Sequence, residues 1–222
     1  MHRRTLITSA LAAVALAAGV AIAPSATPPA SAADPITFAV AGDSLSANAD
    51  SWMHQLDDPG LQYAGGYQKA GVTTNGAWAS IQPGSADVLV IMLGTNDVKY
   101  GFTVAQITSR IEDIVTKFGG AKTVLISFLP PSDIVDDAST HVNRRVQGIA
   151  ANRALVALAA KHGWFYADPF SFQRSLNNAW GTGASSDQTH PTALVSGQVA
   201  GRMSVYIRQA AVAGNIGATS QP

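Results

Sequence analysis

Three apolar runs set the tightest limit on what this chain can fold into: residues 36–41, 86–93 and 123–129. Each is rich in Val, Ile, Leu and Ala, and none alternates apolar with polar side chains. A strand with one wet face alternates; a strand covered on both faces does not. The runs therefore predict strands buried inside a parallel sheet, and residues 164–167 (Trp-Phe-Tyr-Ala) predict a shorter one.

Helical patterns fill the intervals. Thr103 and Gln106 have capping-box spacing, Ile107, Ile111, Ile114 and Phe118 recur at helical spacing, and Gly119-Gly120 ends the pattern. A second helix is predicted over 140–162, with Val142, Val146, Ile149, Leu155 and Leu158 on its apolar face. A third is predicted over 192–213, with Val195, Val199, Met203 and Ile207 in one row. Strand–helix alternation argues for a three-layer α/β sandwich around a mostly parallel sheet. No repeat or internal linker divides it, so residues 33–213 read as one domain and 214–222 as a flexible tail.

The first 32 residues read as an export signal. Met1-His2-Arg3-Arg4 is followed by an apolar stretch to about residue 23 and by Ala30-Ser31-Ala32, an A-x-A cleavage pattern. A mature chain starting near Ala33 would be secreted or reside in the cell envelope, with no membrane span left. The full sequence carries 14 basic and 14 acidic side chains. Without Arg3 and Arg4 the balance is slightly acidic, which gives no reason to expect a nucleic acid as partner. There are no cysteines, which excludes disulfides, thiolate metal sites and a cysteine nucleophile.

In parallel α/β sheets, ligands bind beyond the carboxyl ends of the strands, and the polar punctuation of this chain falls there. The first strand runs into Gly42-Asp43-Ser44 and the second into Gly94-Thr95-Asn96-Asp97. A third cluster, Asp187-Gln188-Thr189-His190-Pro191, precedes the last helix. Three residues apart, Asp187 can orient the His190 imidazole and leave its other nitrogen free to take a serine proton. The Asn96 amide and the backbone N–H groups of the 65–71 region are candidate donors for a developing oxyanion. The G-x-S-x-G elbow, the P-loop, G-x-G-x-x-G and H-E-x-x-H are all absent. Nothing implies a metal or an organic cofactor.

Taken in order, Gly42-Asp43-Ser44-Leu45-Ser46, Gly71-Val72-Thr73-Thr74, Gly94-Thr95-Asn96-Asp97 and Asp187-Gln188-Thr189-His190-Pro191 resemble the four sequence blocks of the SGNH (GDSL) hydrolases. The resemblance spans residues 36–213. It implies a flavodoxin-like sandwich and hydrolysis of acyl esters through a serine-bound acyl intermediate. It further implies Ser44 as nucleophile, His190 as base and then acid, and Asp187 as orienting partner. The implied oxyanion hole is the Ser44 and Gly71 backbone N–H groups with the Asn96 side chain. Gln68-Lys69-Ala70 precede Gly71 where the family commonly has an Asn, so Gly76 is a second candidate for the glycine.

A lipase or esterase acting on an external ester is the leading expectation. An O-acyl (acetyl) esterase or acyltransferase on an envelope glycan, and a non-catalytic glycan-binding module, are the alternatives. The loop 130–140 and the segment 170–186 are expected to border the site, with Phe170, Phe172 and Trp180 as pocket lining or core.

Overall fold

A computed structural model describes residues 34–219, so the expected export signal lies outside the described residues, as do residues 220–222 of the expected tail. Five parallel strands form one sheet: β1 (Ile36–Gly42), β2 (Leu61–Gln68), β3 (Gly84–Met92), β4 (Gly119–Ser127) and β5 (Phe165–Ala167). Their order across the sheet is β2-β1-β3-β4-β5. Among the described residues six α-helices connect them, α1 (Ser44–Ala47), α2 (Trp52–Gln55), α3 (Thr74–Ser80), α4 (Thr95–Lys99), α5 (Val104–Phe118) and α6 (Arg144–His162), and α7 (Ala193–Thr219) follows β5. This is the predicted three-layer α/β architecture.

The lack of alternation in the strands has a direct cause. Ala39, Ala41, Leu89 and Ile91 face a core completed by Ile107, Ile111 and Ile114 of α5 and by Leu155 of α6. Their neighbours Phe38, Val40, Val88 and Val90 face the opposite core, completed by Val195, Val199, Met203 and Ile207 of α7. Both faces are dry, so both alternate sets must be apolar. The α5 cap forms as predicted, with Gln106 N–H donating to Thr103 Oγ1 and Gln106 Oε1 accepting from Thr103 N–H.

Three elements depart from expectation. Strand β2 was not predicted, because Leu61-Gln62-Tyr63-Ala64-Gly65-Gly66-Tyr67-Gln68 contains two glycines and no β-branched residue. It is an edge strand and largely exposed, so burial imposed no apolar run on it. Helix α6 starts at Arg144, capped by Asn143, and turns Val146 out to solvent. Ala151, Asn152, Leu155, Leu158 and Ala159 form its buried face, with Asn152 Oδ1 accepting from Leu129 N–H at 2.8 Å. Helix α7 continues to Thr219 instead of ending near Ala213. A Cβ at Gly214 would lie 2.8 Å from Thr123 Cβ, so the bare glycine lets the helix run on past β4.

The order of connections creates the site. The chain leaves β1 for β2 on one side and returns to β3 on the other, so the segments after β1 and β3 diverge and open a crevice. Next to it, Gly66 adopts φ +118°, and a Cβ there would come within 2.2 Å of Val40 O in β1. Gly66→Ala should therefore destabilise the protein by roughly 3 kcal/mol or more through combined clash and strain. Gly71→Ala, with φ +76° but open space, should cost only about 1 kcal/mol. Urea unfolding of the two variants checks the contrast; equal losses would contradict it.

Candidate active site

At the end of β1 the backbone turns at Asp43, whose N–H donates to Met92 O of β3 at 3.2 Å. The Asp43 side chain caps α1, with Oδ1 accepting from Leu45 N–H at 3.0 Å. Ser44 is thereby the first residue of that short helix. Its Oγ lies 2.8 Å from His190 Nε2, although 146 residues separate them. His190 Nδ1 lies 2.6 Å from Asp187 Oδ2. Asp187 Oδ1 accepts from the backbone N–H groups of Thr189 (2.9 Å) and His190 (2.7 Å), so one carboxylate fixes both the ring and the loop that carries it.

Burial alone would raise the Asp187 pKa, but the imidazole and the two N–H groups outweigh it and hold the pKa at about 2. An ionised Asp187 puts the imidazole proton on Nδ1, which leaves Nε2 to accept from the Ser44 hydroxyl. Asp187, His190 and Ser44 thus lie in one chain of hydrogen bonds.

Asn96 lies in α4, entered through Gly94 at φ +119°. One N–H of its amide donates to Val72 O at 2.9 Å, which leaves the second unused. The next residue, Asp97, is fully buried and binds Thr74 through both its N–H (2.9 Å) and its hydroxyl (2.6 Å). Asp97 thereby reaches 23 residues back along the chain, to the first residue of α3. Asn96 and Asp97 together clamp the stretch that contains Gly71. The Gly71 and Ser44 amides engage no acceptor among the described residues. The Gly76 N–H is taken by Thr73 Oγ1 (3.3 Å) in the cap of α3, which separates the two candidate glycines.

The expected border segments act as bracing. Asp133 N–H donates to Gln188 O (3.2 Å), and Arg144 joins Asp137 in an ion pair while reaching Thr189 Oγ1 at 3.4 Å. Phe170 and Trp180 pack edge to face in the core beneath α7, so neither lines an open pocket. Among the described residues no group of three His, Cys, Asp or Glu side chains could hold a metal ion.

The sequence did not disclose the state of Asp43. Fully buried, it has Oδ1 on Leu45 N–H and Oδ2 without a partner; the Thr95 hydroxyl lies close but outside hydrogen-bond geometry. Burial, reinforced by the neighbouring Asp97 carboxyl, pushes its pKa up to about 7 against the opposing pull of Leu45 N–H and the His190 ring. Burial also raises Asp97, against its bonds to Thr74.

The family model for the GDSL-like lipase/acylhydrolase family matches residues 32–195. No curated protein matches the chain. Solved structures share the fold at low identity. A GDSL-like lipase from Bacteroides thetaiotaomicron is 15% identical with a TM-score of 0.60, over 79% of this chain and 87% of that one. A carbohydrate acetylesterase family member from Sinorhizobium meliloti is 18% identical with a TM-score of 0.60, over 79% and 99%. An aryl esterase of M. smegmatis is 18% identical with a TM-score of 0.59, over 79% and 99%.

Asp43 generates a stability prediction. A carboxyl whose pKa is raised on folding favours the native state below its unfolded value, and that contribution is lost as pH rises through the folded value. Wild-type unfolding free energy should fall between about pH 4 and pH 7, by an amount on the order of a few kcal/mol. Asp43→Asn keeps the cap on α1 without the charge and should flatten most of that fall. Denaturant unfolding at a series of pH values checks it; an unchanged slope in the variant would contradict it.

Proposed function

The chain belongs to the GDSL-like lipase/acylhydrolase family and is an ester hydrolase, and on that premise we propose that it is an exported serine esterase whose triad is Ser44, His190 and Asp187. The contact that carries the proposal is the 2.8 Å approach of His190 Nε2 to Ser44 Oγ, with Asp187 behind the ring. Ser44 Oγ attacks the ester carbonyl carbon as Nε2 takes its proton. The imidazolium, stabilised by Asp187, passes that proton to the leaving alcohol, and water completes the cycle by the reverse path.

The oxyanion formed in each half-reaction is held by the Ser44 and Gly71 amides and by the free N–H of Asn96. Two observations support this set: neither amide has another acceptor, and Asn96 and Asp97 fix the loop that presents Gly71. Each donor fixed in this way contributes roughly 3 kcal/mol to the transition state. The Ala30-Ser31-Ala32 pattern supports export, because cleavage after Ala32 would leave β1, which starts at Ile36, intact.

Hydrolysis of p-nitrophenyl acetate tests the roles. Ser44→Ala and His190→Ala should each lower kcat by about 10³-fold or more. Asp187→Asn should lower it by at least 10²-fold, because no other described group holds Nδ1. Asn96→Ala should lower kcat about 10²- to 10³-fold with little change in KM. Near wild-type turnover in Ser44→Ala or His190→Ala would refute the triad. The mass of the exported product should correspond to a start near Ala33; retention of residues 1–32 would refute export by cleavage.

A further inference from the structure

The loop that carries Asp187 and His190 is not secured by burial of its own side chains. Those of His190 and Asp187 are 34% and 52% exposed. Between them Gln188 adopts φ +67°, a left-handed conformation that strains any residue with a side chain. Such a loop keeps one shape only when its surroundings impose it.

The segment that leads from β4 into α6 imposes it. Gln188 O, at the strained turn, accepts from Asp133 N–H at 3.2 Å and from the Ser132 hydroxyl at 3.4 Å. Arg144, the first residue of α6, donates from Nη1 to Thr189 Oγ1 at 3.4 Å. Thr189 N–H donates in turn to Asp187 Oδ1 at 2.9 Å. A line of hydrogen bonds therefore runs from Arg144 through Thr189 and Asp187 to the His190 ring, and on to Ser44.

Arg144 is itself held from behind. Its side chain is nine-tenths buried and pairs through Nη2 with the equally buried Asp137. Asp137 Oδ1 accepts from Ser139 N–H (3.0 Å), the Ser139 hydroxyl (2.6 Å) and Thr140 N–H (3.2 Å). The Thr140 hydroxyl donates to Lys99 O at 2.8 Å, at the end of the helix that carries Asn96. Arg144 and Thr189 also line one small enclosed gap with Thr95 and Val98 of that helix.

Stability does not account for this arrangement. A buried ion pair loses hydration that its attraction barely offsets, and a well-packed apolar pair of similar volume is commonly as stable. Arg144 Nε, buried without a partner among the described residues, adds to the deficit. An apolar pair would lack one thing, a fixed donor aimed at Thr189.

We propose that Arg144, fixed by Asp137, is a positioning residue for His190: it braces Thr189 and so keeps the Asp187–His190 pair aligned on Ser44. This assignment rests on the triad proposed above. Because the guanidinium acts through the loop and not on the ester, its loss should slow turnover without weakening substrate binding.

Replacing both partners separates positioning from stability. Arg144→Met combined with Asp137→Leu keeps a similar volume and leaves no unpaired charge. Its thermal midpoint should stay within a few degrees of wild type. Its kcat for p-nitrophenyl acetate should fall about tenfold or more, at a KM within about twofold. Thr189→Val leaves the ion pair intact and should lower kcat severalfold. Added to the double variant it should cause no further loss, because both changes cut the same link. Wild-type kcat in either folded variant, or losses that multiply on combination, would overturn the proposal. If the double variant does not fold, Thr189→Val decides it alone.

The proton NMR signal of His190 Nδ1–H requires no turnover. It should be sharp in wild type and in Ser44→Ala, and broadened by exchange with water in the double variant and in Thr189→Val. An unchanged signal in those folded variants would overturn the brace. Broadening in them, with a wild type that hydrolyses no ester, would support the brace and count against the esterase reading alone.

Discussion

A sheet that is dry on both faces can present polar chemistry only at its ends, and this single constraint organises the molecule. Val40, Val88 and Val90 on one side and Ala39, Leu89 and Ile91 on the other leave no room for a charged group along the middle of β1 or β3; Asp87, near the start of β3, is partly exposed and pairs with Lys122 and Thr37. The polar residues therefore collect where the strands stop, at Asp43-Ser44 after β1 and Asn96-Asp97 after β3. Because the chain runs outward from β1 in opposite directions, those two ends face each other across a crevice. The last helix, packed by Val195, Val199, Met203 and Ile207, then sets the position of the loop that brings His190 to Ser44. The rigid core determines where the loops meet; the loops themselves supply the chemistry.

The site carries two carboxyl groups that a core would normally exclude. Asp97 is satisfied by Thr74 and ties the β2–α3 loop to the β3 end, so the Gly71 amide and the Asn96 side chain are held by one clamp. Asp43 is only half satisfied, and burial beside Asp97 favours its neutral form. Asp43 directly precedes Ser44 in the chain and Asp97 directly follows Asn96. The stability forfeited by burying them is offset by the dense packing of the sheet around them, and the benefit is a site fixed before substrate arrives.

How much of this was legible beforehand follows from which residues burial controlled. Strands β1, β3 and β4 were plain, because two dry faces force continuous apolar runs. Strand β2 was invisible, because at an exposed edge Gly65, Gly66 and Gln68 are as acceptable as valine. Ser44, His190, Asp187 and Asn96 stand out as candidates because strand ends and local spacing mark them. The pairing of Asp97 with Thr74 was not legible, since nothing in the sequence shows that the chain returns Thr74 to its side. The apolar face of α6 was misjudged at Val146 because alanines, which carry little periodic signal, form its actual contact surface. Gly71 and Gly76 could be told apart only through the Thr73 cap.

The most direct test of the account is the reaction of the purified protein with a fluorophosphonate, a reagent that phosphonylates a serine only when that serine is activated and its oxyanion is held. Intact-mass and peptide analysis should find one adduct, on Ser44, formed in wild type and suppressed in His190→Ala. An adduct on another residue, or none on the folded wild-type protein, would contradict it.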